Sequence, residues 1–296
     1  MPRVRVAVID VGANTLRLLV AGANGSRLEK VREERRRTML GEDVERFGRL
    51  TDEKIERSAE AARKEVRRAR RLGAARIEIV VTSPWRNAEN GRDLVAALAS
   101  ATGSQVRALS EEEEAELDFL GAVSRTEIEQ EPVAVCDVGG GSAQLAVGSR
   151  SRPSWLRSVE LGSLRLTSRC LQSDPPTPGE LAAARAEVAE TLAPLTPPLP
   201  AVALATGGTA RALRRLGLER LDREGLEREI RTLVELPTAA RAHYAKADPQ
   251  RARTLPAGAI ILAGLQGLLR VPLRVAEGGV REGVCLGLLE AEAATA

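Results

Sequence analysis

Aromatic side chains are scarce in this chain of 296 residues, which contains two tryptophans, two phenylalanines and one tyrosine. A hydrophobic core must therefore be built from leucine, valine, isoleucine and alanine. No series of alternating aromatic and basic residues indicates a nucleic-acid surface, and the net charge of +3 is too small to argue for DNA binding. We therefore expect no DNA partner.

Cysteine is also rare. Cys136, Cys170 and Cys285 are odd in number and lack metal-ligand spacing, which favours reduced thiols over a disulfide or a zinc centre. No apolar run is as long as a membrane span, and Met1-Pro2-Arg3 leads directly into a strand pattern. These features predict a cytoplasmic protein without a targeting segment and without a membrane partner.

Lysine is nearly absent, since forty of the 44 basic residues are arginine. The forked guanidinium group suits phosphate recognition, so this bias is consistent with a polyanionic substrate. A genome that favours arginine codons explains the same bias without any function. The composition alone therefore does not assign a ligand.

One short pattern occurs twice. The segment 7–20, AVIDVGANTLRLLV, matches the segment 134–147, AVCDVGGGSAQLAV, at seven of fourteen positions. Each copy reads as a strand that ends in an aspartate, a small glycine-containing turn with a hydroxyl residue, and a second strand. Such turns direct backbone N–H groups at anions, so two copies in two domains predict a phosphate clamp with a cleft between the domains.

Further glycine-containing loops follow two other apolar strands, at 206–209 and 277–283, and the sequence 83–87 is interpreted as a loop after a buried strand. Strands that alternate with helical patterns indicate an α/β protein of two domains. Ligands of such sheets bind outside the carboxyl ends of the strands. Four glycine loops in this position favour phosphate binding over a purely structural role.

These motifs, in this order, resemble those of the exopolyphosphatase/guanosine pentaphosphate phosphatase (Ppx/GppA) family. The resemblance rests on segments 10–15, 82–88, 110–115, 137–142, 207–211 and 279–283. It implies two actin-like (ribonuclease H-like) α/β domains, which we place at residues 1–124 and 125–296, with the last helix packing back on the first domain. The length is that of the short, two-domain members of the family.

The resemblance implies hydrolysis of a terminal phosphoanhydride bond, with inorganic polyphosphate or guanosine pentaphosphate as the substrate and Mg²⁺ as the cofactor (Mn²⁺ is the alternative). A homodimer is also a family-based expectation. Such chemistry needs a cradle for phosphates, a cation and a base for water. The expected phosphate-binding residues are Gly12, Asn14, Thr15, Gly139, Gly140, Gly141, Ser142 and Gly208.

The expected catalytic residues are Glu114 and Arg86, and the expected metal-binding residues are Asp137, Asp10 and Gln144. Ser110 and Glu113 fit a helix capping box, which leaves Glu114, just before Ala115, at the position of the family's catalytic glutamate. Glu113 is the alternative base. Arg86 is expected to hold a phosphate through its forked guanidinium group.

One departure from the family pattern concerns Gln144, where the family has a glutamate. Glutamine keeps an acceptor oxygen but lacks the negative charge, so the affinity for Mg²⁺ should fall. Two other functions therefore stay open. One is a sensor that binds polyphosphate or an alarmone without turnover, and the other is a kinase or ATPase of the same superfamily. Part of a basic channel for a long substrate is expected to be lined by Arg165, Arg169, Arg211, Arg214 and Arg215.

Overall fold

The computed structural model describes residues 4–24 and 27–295. The chain forms two compact units. The first unit comprises Met1–Arg125 together with Gly278–Ala296, and the second comprises Thr126–Glu277. The sequence analysis places the boundary at residues 124 and 125 and expects the last helix to return to the first domain. The final segment is indeed part of the first unit.

The first unit contains all the helices and strands that precede residue 124. They are β1 (Arg5–Val11), β2 (Thr15–Asn24), β3 (Arg27–Arg37), α1 (Leu40–Phe47), α2 (Asp52–Arg71), β4 (Ala74–Val81), α3 (Ser83–Asn87), α4 (Gly91–Thr102), β5 (Gln105–Ala108) and α5 (Glu111–Val123).

The second unit follows the same alternation of strands and helices. Its elements are β6 (Val133–Val138), β7 (Ala143–Ser149), β8 (Arg152–Val159), α6 (Ser163–Cys170), α7 (Pro178–Leu192), β9 (Val202–Thr206), α8 (Gly207–Arg215), β10 (Arg220–Leu221), α9 (Arg223–Glu235), α10 (Thr238–Tyr244), α11 (Pro249–Leu269) and β11 (Leu273–Val275). The last element, α12 (Val280–Thr295), belongs to the first unit.

Each unit is built on one mixed sheet. The strand order is β3-β2-β1-β4-β5 in the first unit and β10-β11-β9-β6-β7-β8 in the second. In the first sheet β1, β4 and β5 are parallel, and in the second β6, β9 and β11 are parallel. The carboxyl ends of parallel strands lie at the same edge, where α/β proteins bind ligands. The predicted α/β class is confirmed.

The core of each unit consists of aliphatic side chains, as the scarcity of aromatic residues requires. In the first unit, α2 and α4 cover one face of the sheet around Ile9, Leu18 and Ile79. Leu19 on the other face packs with residues of α12 such as Val284. In the second unit, α11 lies in the centre of the core. Burial of these aliphatic side chains therefore holds the helices against the sheet in each unit.

Helix α11 corrects one expectation from the sequence. Among the described residues it is long and apolar enough to span a membrane by length and composition, with a mean hydropathy of 1.3 over 18 residues. The sequence analysis found no apolar run of this length. However, 72% of that stretch is buried inside the protein, because α11 packs against α6, α7, α9 and α10. Its composition is that of a central core helix.

Helices α5 and α12 approach each other closely at glycines. A Cβ atom on Gly121 would overlap the carbonyl group of Gly279, and one on Gly283 would overlap the carbonyl group of Leu117. Such overlaps involve backbone atoms, which cannot move aside as a flexible side chain can. These glycines therefore fix the distance between the two helices.

We predict that Gly121→Ala lowers the free energy of unfolding by about 1–3 kcal/mol, because it forces α5 and α12 apart. The matched control is Gly287→Ala, since a Cβ atom at this exposed α12 position meets no other atom within 4 Å. The control should be stabilised by about 0.5–1 kcal/mol through its higher helix propensity. Chemical denaturation of both variants is the measurement, and equal stability of the two would contradict the packing argument.

Candidate active site

The repeated sequence pattern forms the same hairpin in both units. In the first, β1 pairs with β2 so that Asp10 lies opposite Arg17. In the second, β6 pairs with β7 so that Asp137 lies opposite Gln144. Both turns are closed by equivalent bonds of 3.0 Å, from the N–H of Gly12 to Thr15 and from the N–H of Gly139 to Ser142. The duplicated sequence thus encodes a duplicated strand–turn–strand structure.

The first turn gives its carbonyl groups to the residues around the start of α1. The carbonyl oxygen of Asn14 accepts from the N–H groups of Thr38 and Met39 at 3.2 and 3.3 Å. The carbonyl oxygen of Ala13 accepts from the N–H of Gly41 at 2.7 Å. These bonds satisfy donors at the start of a helix, which would otherwise lack partners.

The second turn is held in the same way by the start of α6. The carbonyl oxygen of Gly139 accepts from the N–H of Ser163 at 2.9 Å, and that of Gly140 accepts from Leu164 and Arg165 at 2.9 and 3.1 Å. Gly162 permits this contact, because a Cβ atom there would overlap the backbone of Gly140. The glycine before α6 is therefore a condition for the turn.

Several N–H groups of the two turns are left for a ligand. Within residues 4–24 and 27–295, the amides of Ala13, Asn14, Gly140 and Gly141 have no hydrogen-bond acceptor. Gly141 is buried, and a buried donor without a partner is costly. An anion such as phosphate supplies the missing acceptors. The structure thus makes both turns suitable for phosphate, as the sequence analysis expects for Asn14, Gly140 and Gly141.

The hydroxyl residues of the turns differ in their surroundings. Ser142 is buried, and its Oγ accepts from Nε2 of Gln144 at 2.8 Å. Thr15 is half-buried and lies beside Gly12 in the hairpin. The roles of both as phosphate ligands stay predictions.

Asp137 lies at the carboxyl end of β6 with a defined set of neighbours. Its register partners are Gln144 on β7 and Thr206 on β9, and Thr206 Oγ1 donates to Oδ1 of Asp137 at 3.0 Å. Gly207 has a φ of +84°, and a Cβ atom there would overlap the same carboxylate oxygen. The half-buried carboxylate therefore has its position fixed by a hydroxyl donor and by a glycine.

Gln144 contributes a buried acceptor that has no partner. Its Nε2 donates to Ser142 and to Oγ of Ser158, at 2.8 and 3.3 Å. Its Oε1 is buried and makes no hydrogen bond with any described residue. An unsatisfied buried oxygen beside a carboxylate is a natural acceptor for a cation or its bound water.

Magnesium fits this set of donors. No group of three His, Cys, Asp or Glu side chains able to hold a metal occurs among the described residues. Mg²⁺ needs no such cage, since it is usually held by one or two carboxylates together with water and substrate phosphates. Asp137 would supply the carboxylate, and the unpaired Oε1 of Gln144 would accept from a water bound to the cation.

The two predicted catalytic residues of the first unit are in direct contact. Nη2 of Arg86 donates to Oε2 of Glu114 at 2.5 Å, and Nη1 of Arg86 donates to the carbonyl oxygen of Leu109 at 2.8 Å. Both side chains are largely buried, with 11% and 9% of their surfaces exposed. A charge-assisted bond of this length fixes the orientation of both groups.

Arg86 lies on α3, whereas the sequence analysis expects a loop there. The five residues 83–87 form one helical turn with Pro84 among its first residues, where proline is tolerated. Trp85 Nε1 donates to the same carbonyl of Leu109 at 2.9 Å. Trp85 thus anchors the turn that carries Arg86.

Glu113 and Glu114 make different contacts. Ser110 and Glu113 form the capping box, with bonds of 2.9 and 3.1 Å between side chains and backbone amides. Glu114, one residue later, is buried and faces Arg86. The carboxylate next to the arginine is therefore that of Glu114, and the alternative Glu113 is occupied by the cap.

Comparisons with known proteins show the family to which the chain belongs. The sequence profile of the Ppx/GppA phosphatase family matches residues 19–292. The chain belongs to the Ppx/GppA phosphatase family. It is 34% identical to Exopolyphosphatase 2 of Mycobacterium tuberculosis, over 97% of this chain and 99% of that protein.

Solved structures of Ppx/GppA proteins share the fold. The Aquifex aeolicus family member superimposes with a TM-score of 0.86 at 25% identity, covering 98% of this chain and 99% of the other. An exopolyphosphatase from Cytophaga hutchinsonii gives a TM-score of 0.89 at 22% identity, covering 97% and 98%. The second likeness concerns the fold alone.

In this Ppx/GppA protein Asp10 is placed among cations. It faces Arg17 across the hairpin, and its charge interacts with that of the buried Arg281. Glu33 joins the same network, since its Oε1 lies 2.7 Å from both Arg17 and Arg281. The negative charge of Asp10 is thus offset by arginines of the protein, and its proposed part in metal binding stays a prediction.

Gly208, the last of the predicted phosphate-binding residues, lies next to Arg251, a residue that the sequence analysis did not identify. It is half-buried near the start of α8, and the guanidinium of Arg251 occupies the space that its Cβ would take. Arg251 lies in the first turn of α11, where the sequence shows only an ordinary core helix. No local signal marks Arg251, because its position depends on the packing of α11 against α8.

Three of the five arginines expected to line a basic channel in the second unit form ion pairs. Arg165 is buried, and its Nη1 lies 2.8 Å from Glu160. Arg169 pairs with Glu187 at 3.3 Å, and Arg214 pairs with Glu277 at 3.6 Å. These arginines are engaged in ion pairs within their own unit.

The ionic network around Glu33 makes a prediction about pH. Burial raises the pKa of Glu33, but the charges of Arg281 and Arg17 outweigh burial and lower the pKa from 4.5 to about 2. A carboxylate with a lowered pKa in the folded state stabilises the fold above its unfolded pKa and loses this effect as the pH falls. The relevant interval runs from pH 4.5 down to about 2.

We therefore expect Glu33→Gln to lower the free energy of unfolding by about 1 kcal/mol near neutral pH, a reduced value because the side chain is partly exposed. The difference from wild type should shrink as the pH falls below 4.5. Denaturation curves over this range are the measurement. A difference independent of pH would show that the ion pairs do not cause the effect.

Proposed function

We propose that this protein hydrolyses the terminal phosphoanhydride bond of linear inorganic polyphosphate, with Mg²⁺ as the cofactor and Glu114 as the base. The observation that carries the proposal is the buried Arg86–Glu114 pair, at the edge of the sheet that also carries the first phosphate turn. The relative in M. tuberculosis, at 34% identity, is called an exopolyphosphatase, and this name supports the choice of polyphosphate.

The pairing of Arg86 with Glu114 suits a hydrolase. An incoming phosphate offers Arg86 a bidentate acceptor that competes with the carboxylate. Glu114 then accepts a proton from water. The oxygen of that water bonds to the terminal phosphorus, and the bridging P–O bond breaks. The products are orthophosphate and a polyphosphate chain shorter by one phosphate, which keeps the bridging oxygen.

The second unit would contribute groups that bind phosphate and the cation. The unpaired amides of Gly140 and Gly141 would donate to phosphate oxygens, and Asp137 would hold the cation, with the unsatisfied Oε1 of Gln144 as a further acceptor. When bound, Mg²⁺ offsets the negative charge that develops on the phosphoryl oxygens. Guanosine pentaphosphate carries the same terminal bond and is the alternative substrate, so the assays include it.

The central prediction concerns two neighbouring glutamates. Glu114→Gln should lower the rate of orthophosphate release from polyphosphate by about 10²–10⁴-fold, since this is the usual contribution of a general base. The matched control is Glu113→Gln, which removes the same charge one residue away. It should lower stability by only about 0.3–1 kcal/mol, since glutamine keeps an acceptor for the N–H of Ser110 and loses only the charge at the helix N-terminus, and the rate should stay within about threefold.

The result that would overturn the assignment is equal loss in the two variants, or loss in Glu113→Gln alone. Circular dichroism and thermal unfolding of both proteins show whether each is folded. Release from guanosine pentaphosphate but not from polyphosphate would keep the mechanism and change the substrate. Release from neither substrate by the wild type, together with tight binding of one, would show a sensor.

Gln144 allows a second test, of the metal site. We expect Gln144→Glu to lower the Mg²⁺ concentration for half-maximal phosphate release by about tenfold, equivalent to ~1.4 kcal/mol. The added carboxylate lies opposite Asp137, so the two charges repel when no cation is bound. Mg²⁺ should therefore raise the melting temperature of Gln144→Glu more than that of the wild type.

Thermal shift in Mg²⁺ and in EDTA measures this effect without any turnover. An unchanged response of both the rate and the melting temperature would show that no cation binds between these side chains. A large gain of activity from a nearly inactive wild type would show that the native glutamine marks a binding protein.

A further inference from the structure

A depression of about 290 Å³ lies on the second unit, where α7 and α9 both pack against α11. Its floor is one face of α11, formed by Ile260, Ala263, Gly264 and Gly267. These residues follow one another at the spacing i, i+3, i+4 and i+7, which places them on the same side of a helix. Three of the four are alanine or glycine, so this face of α11 has little side-chain volume and the space above it stays open.

The two glycines of this face have different surroundings. A Cβ atom on Gly264 would lie 2.5 Å from Cγ1 of Val188, so this glycine permits the close contact of α7 with α11. A Cβ atom on Gly267 would meet no other atom within 4 Å, although Gly267 lines the depression. Glycine in a helix lowers stability relative to alanine, and no packing contact requires it at this position. Gly267 therefore leaves room for a ligand.

Gln266 brings a polar group into this largely apolar depression. The residue lines the depression and is only 8% exposed. Its side-chain amide makes no hydrogen bond with any described residue, and neither its oxygen nor its nitrogen is sealed inside the core. Polar side chains that are buried to this extent are normally hydrogen-bonded. A polar group of a ligand would supply the missing partner.

The rim of the depression carries more positive than negative charge. Arg185 of α7 and Glu227 of α9 form a bidentate ion pair with contacts of 2.8 and 2.7 Å, which bridges the two helices. Arg223 also lines the depression and is exposed. It makes no hydrogen bond or close ion pair within the described residues, although its charge acts on Glu227. The lining thus has two guanidinium groups and one carboxylate, which leaves one positive charge for an anion.

This combination of groups selects a class of ligand. An apolar floor favours a hydrocarbon body, and an arginine beside an amide favours a carboxylate. The volume is at the lower end of the range of small-molecule sites, about 300–1,000 Å³, so the ligand is small. Inorganic phosphate and polyphosphate would leave the apolar floor uncovered and therefore fit the depression poorly.

We propose that this depression is a binding site for a small amphipathic monocarboxylate, such as a straight-chain fatty acid of about six to eight carbons. Its carboxylate accepts from Arg223 and from Nε2 of Gln266, and its hydrocarbon chain covers the face of α11. Gln266 lies roughly 22 Å along α11 from Arg251, the neighbour of Gly208, at about 1.5 Å per residue. The site is therefore separate from that predicted phosphate residue, and the inference does not rest on the proposed function.

The test uses octanoate as the probe, titrated into the full chain by isothermal titration calorimetry. We expect one site per chain, with affinity falling about fourfold for each methylene group removed, equivalent to ~0.8 kcal/mol. Arg223→Gln should weaken the binding of octanoate by about tenfold, since the charged partner of the carboxylate is lost. The matched control is Arg228→Gln, an exposed residue of α9 that does not line the depression. It should keep the wild-type affinity.

A second variant fills the depression without changing any charge. Gly267→Leu should fold like the wild type, because a Cβ atom there meets no other atom within 4 Å, and it should lose measurable binding of octanoate. The matched control is Gly287→Leu on α12, where a Cβ atom is equally free of contacts. This control should bind octanoate like the wild type. Circular dichroism and thermal unfolding show whether both proteins are folded.

Three results would overturn the proposal, whether or not the protein releases phosphate. Wild-type affinity in a folded Gly267→Leu variant would place the ligand elsewhere. Equal affinity for 1-octanol and octanoate, or equal weakening by Arg223→Gln and Arg228→Gln, would show that no carboxylate site exists at Arg223. Absence of octanoate binding by the wild type would show that the depression is not a site for this class of ligand.

Discussion

The structure depends on the hydrogen bonds that the carbonyl groups of the two glycine turns accept. In each unit the backbone oxygens of the turn accept hydrogen bonds from the N–H groups at the start of a following helix, α1 or α6. This arrangement satisfies the helix and at the same time fixes the turn. The amides of Ala13, Asn14, Gly140 and Gly141 are then left without partners within the described residues. Strands, glycines and helix starts all serve to hold these donors in place for an anion.

The two copies of the hairpin have kept this backbone and diverged in their side chains. Opposite the strand-end aspartate, the first copy has Arg17 and the second has Gln144. The arginine ties Asp10 into an ionic network with Glu33 and Arg281. The glutamine leaves a buried acceptor beside Asp137. The same scaffold thus holds an acid among arginines in one unit and an acid beside an unsatisfied acceptor in the other.

Local patterns predicted much of this arrangement. The duplicated hairpin and the capping box of Ser110 and Glu113 both follow from residues close in sequence, and the structure confirms them. Two of the predicted glycine-containing loops are partly helical. Gly207 begins α8, and Arg281 to Gly283 belong to α12. The proximity of Arg251 to Gly208 could not be predicted, because it depends on the packing of α11 against α8, two segments far apart in the chain.

The central claim is that water attacks the terminal phosphorus of a polyphosphate chain. The most direct test is the first turnover on long-chain polyphosphate in water enriched in ¹⁸O, with mass analysis of the orthophosphate released. The account predicts one water-derived oxygen in each released phosphate. Released phosphate without ¹⁸O would place the attack elsewhere on the chain, and transfer of the phosphoryl group to another acceptor without release would show a kinase.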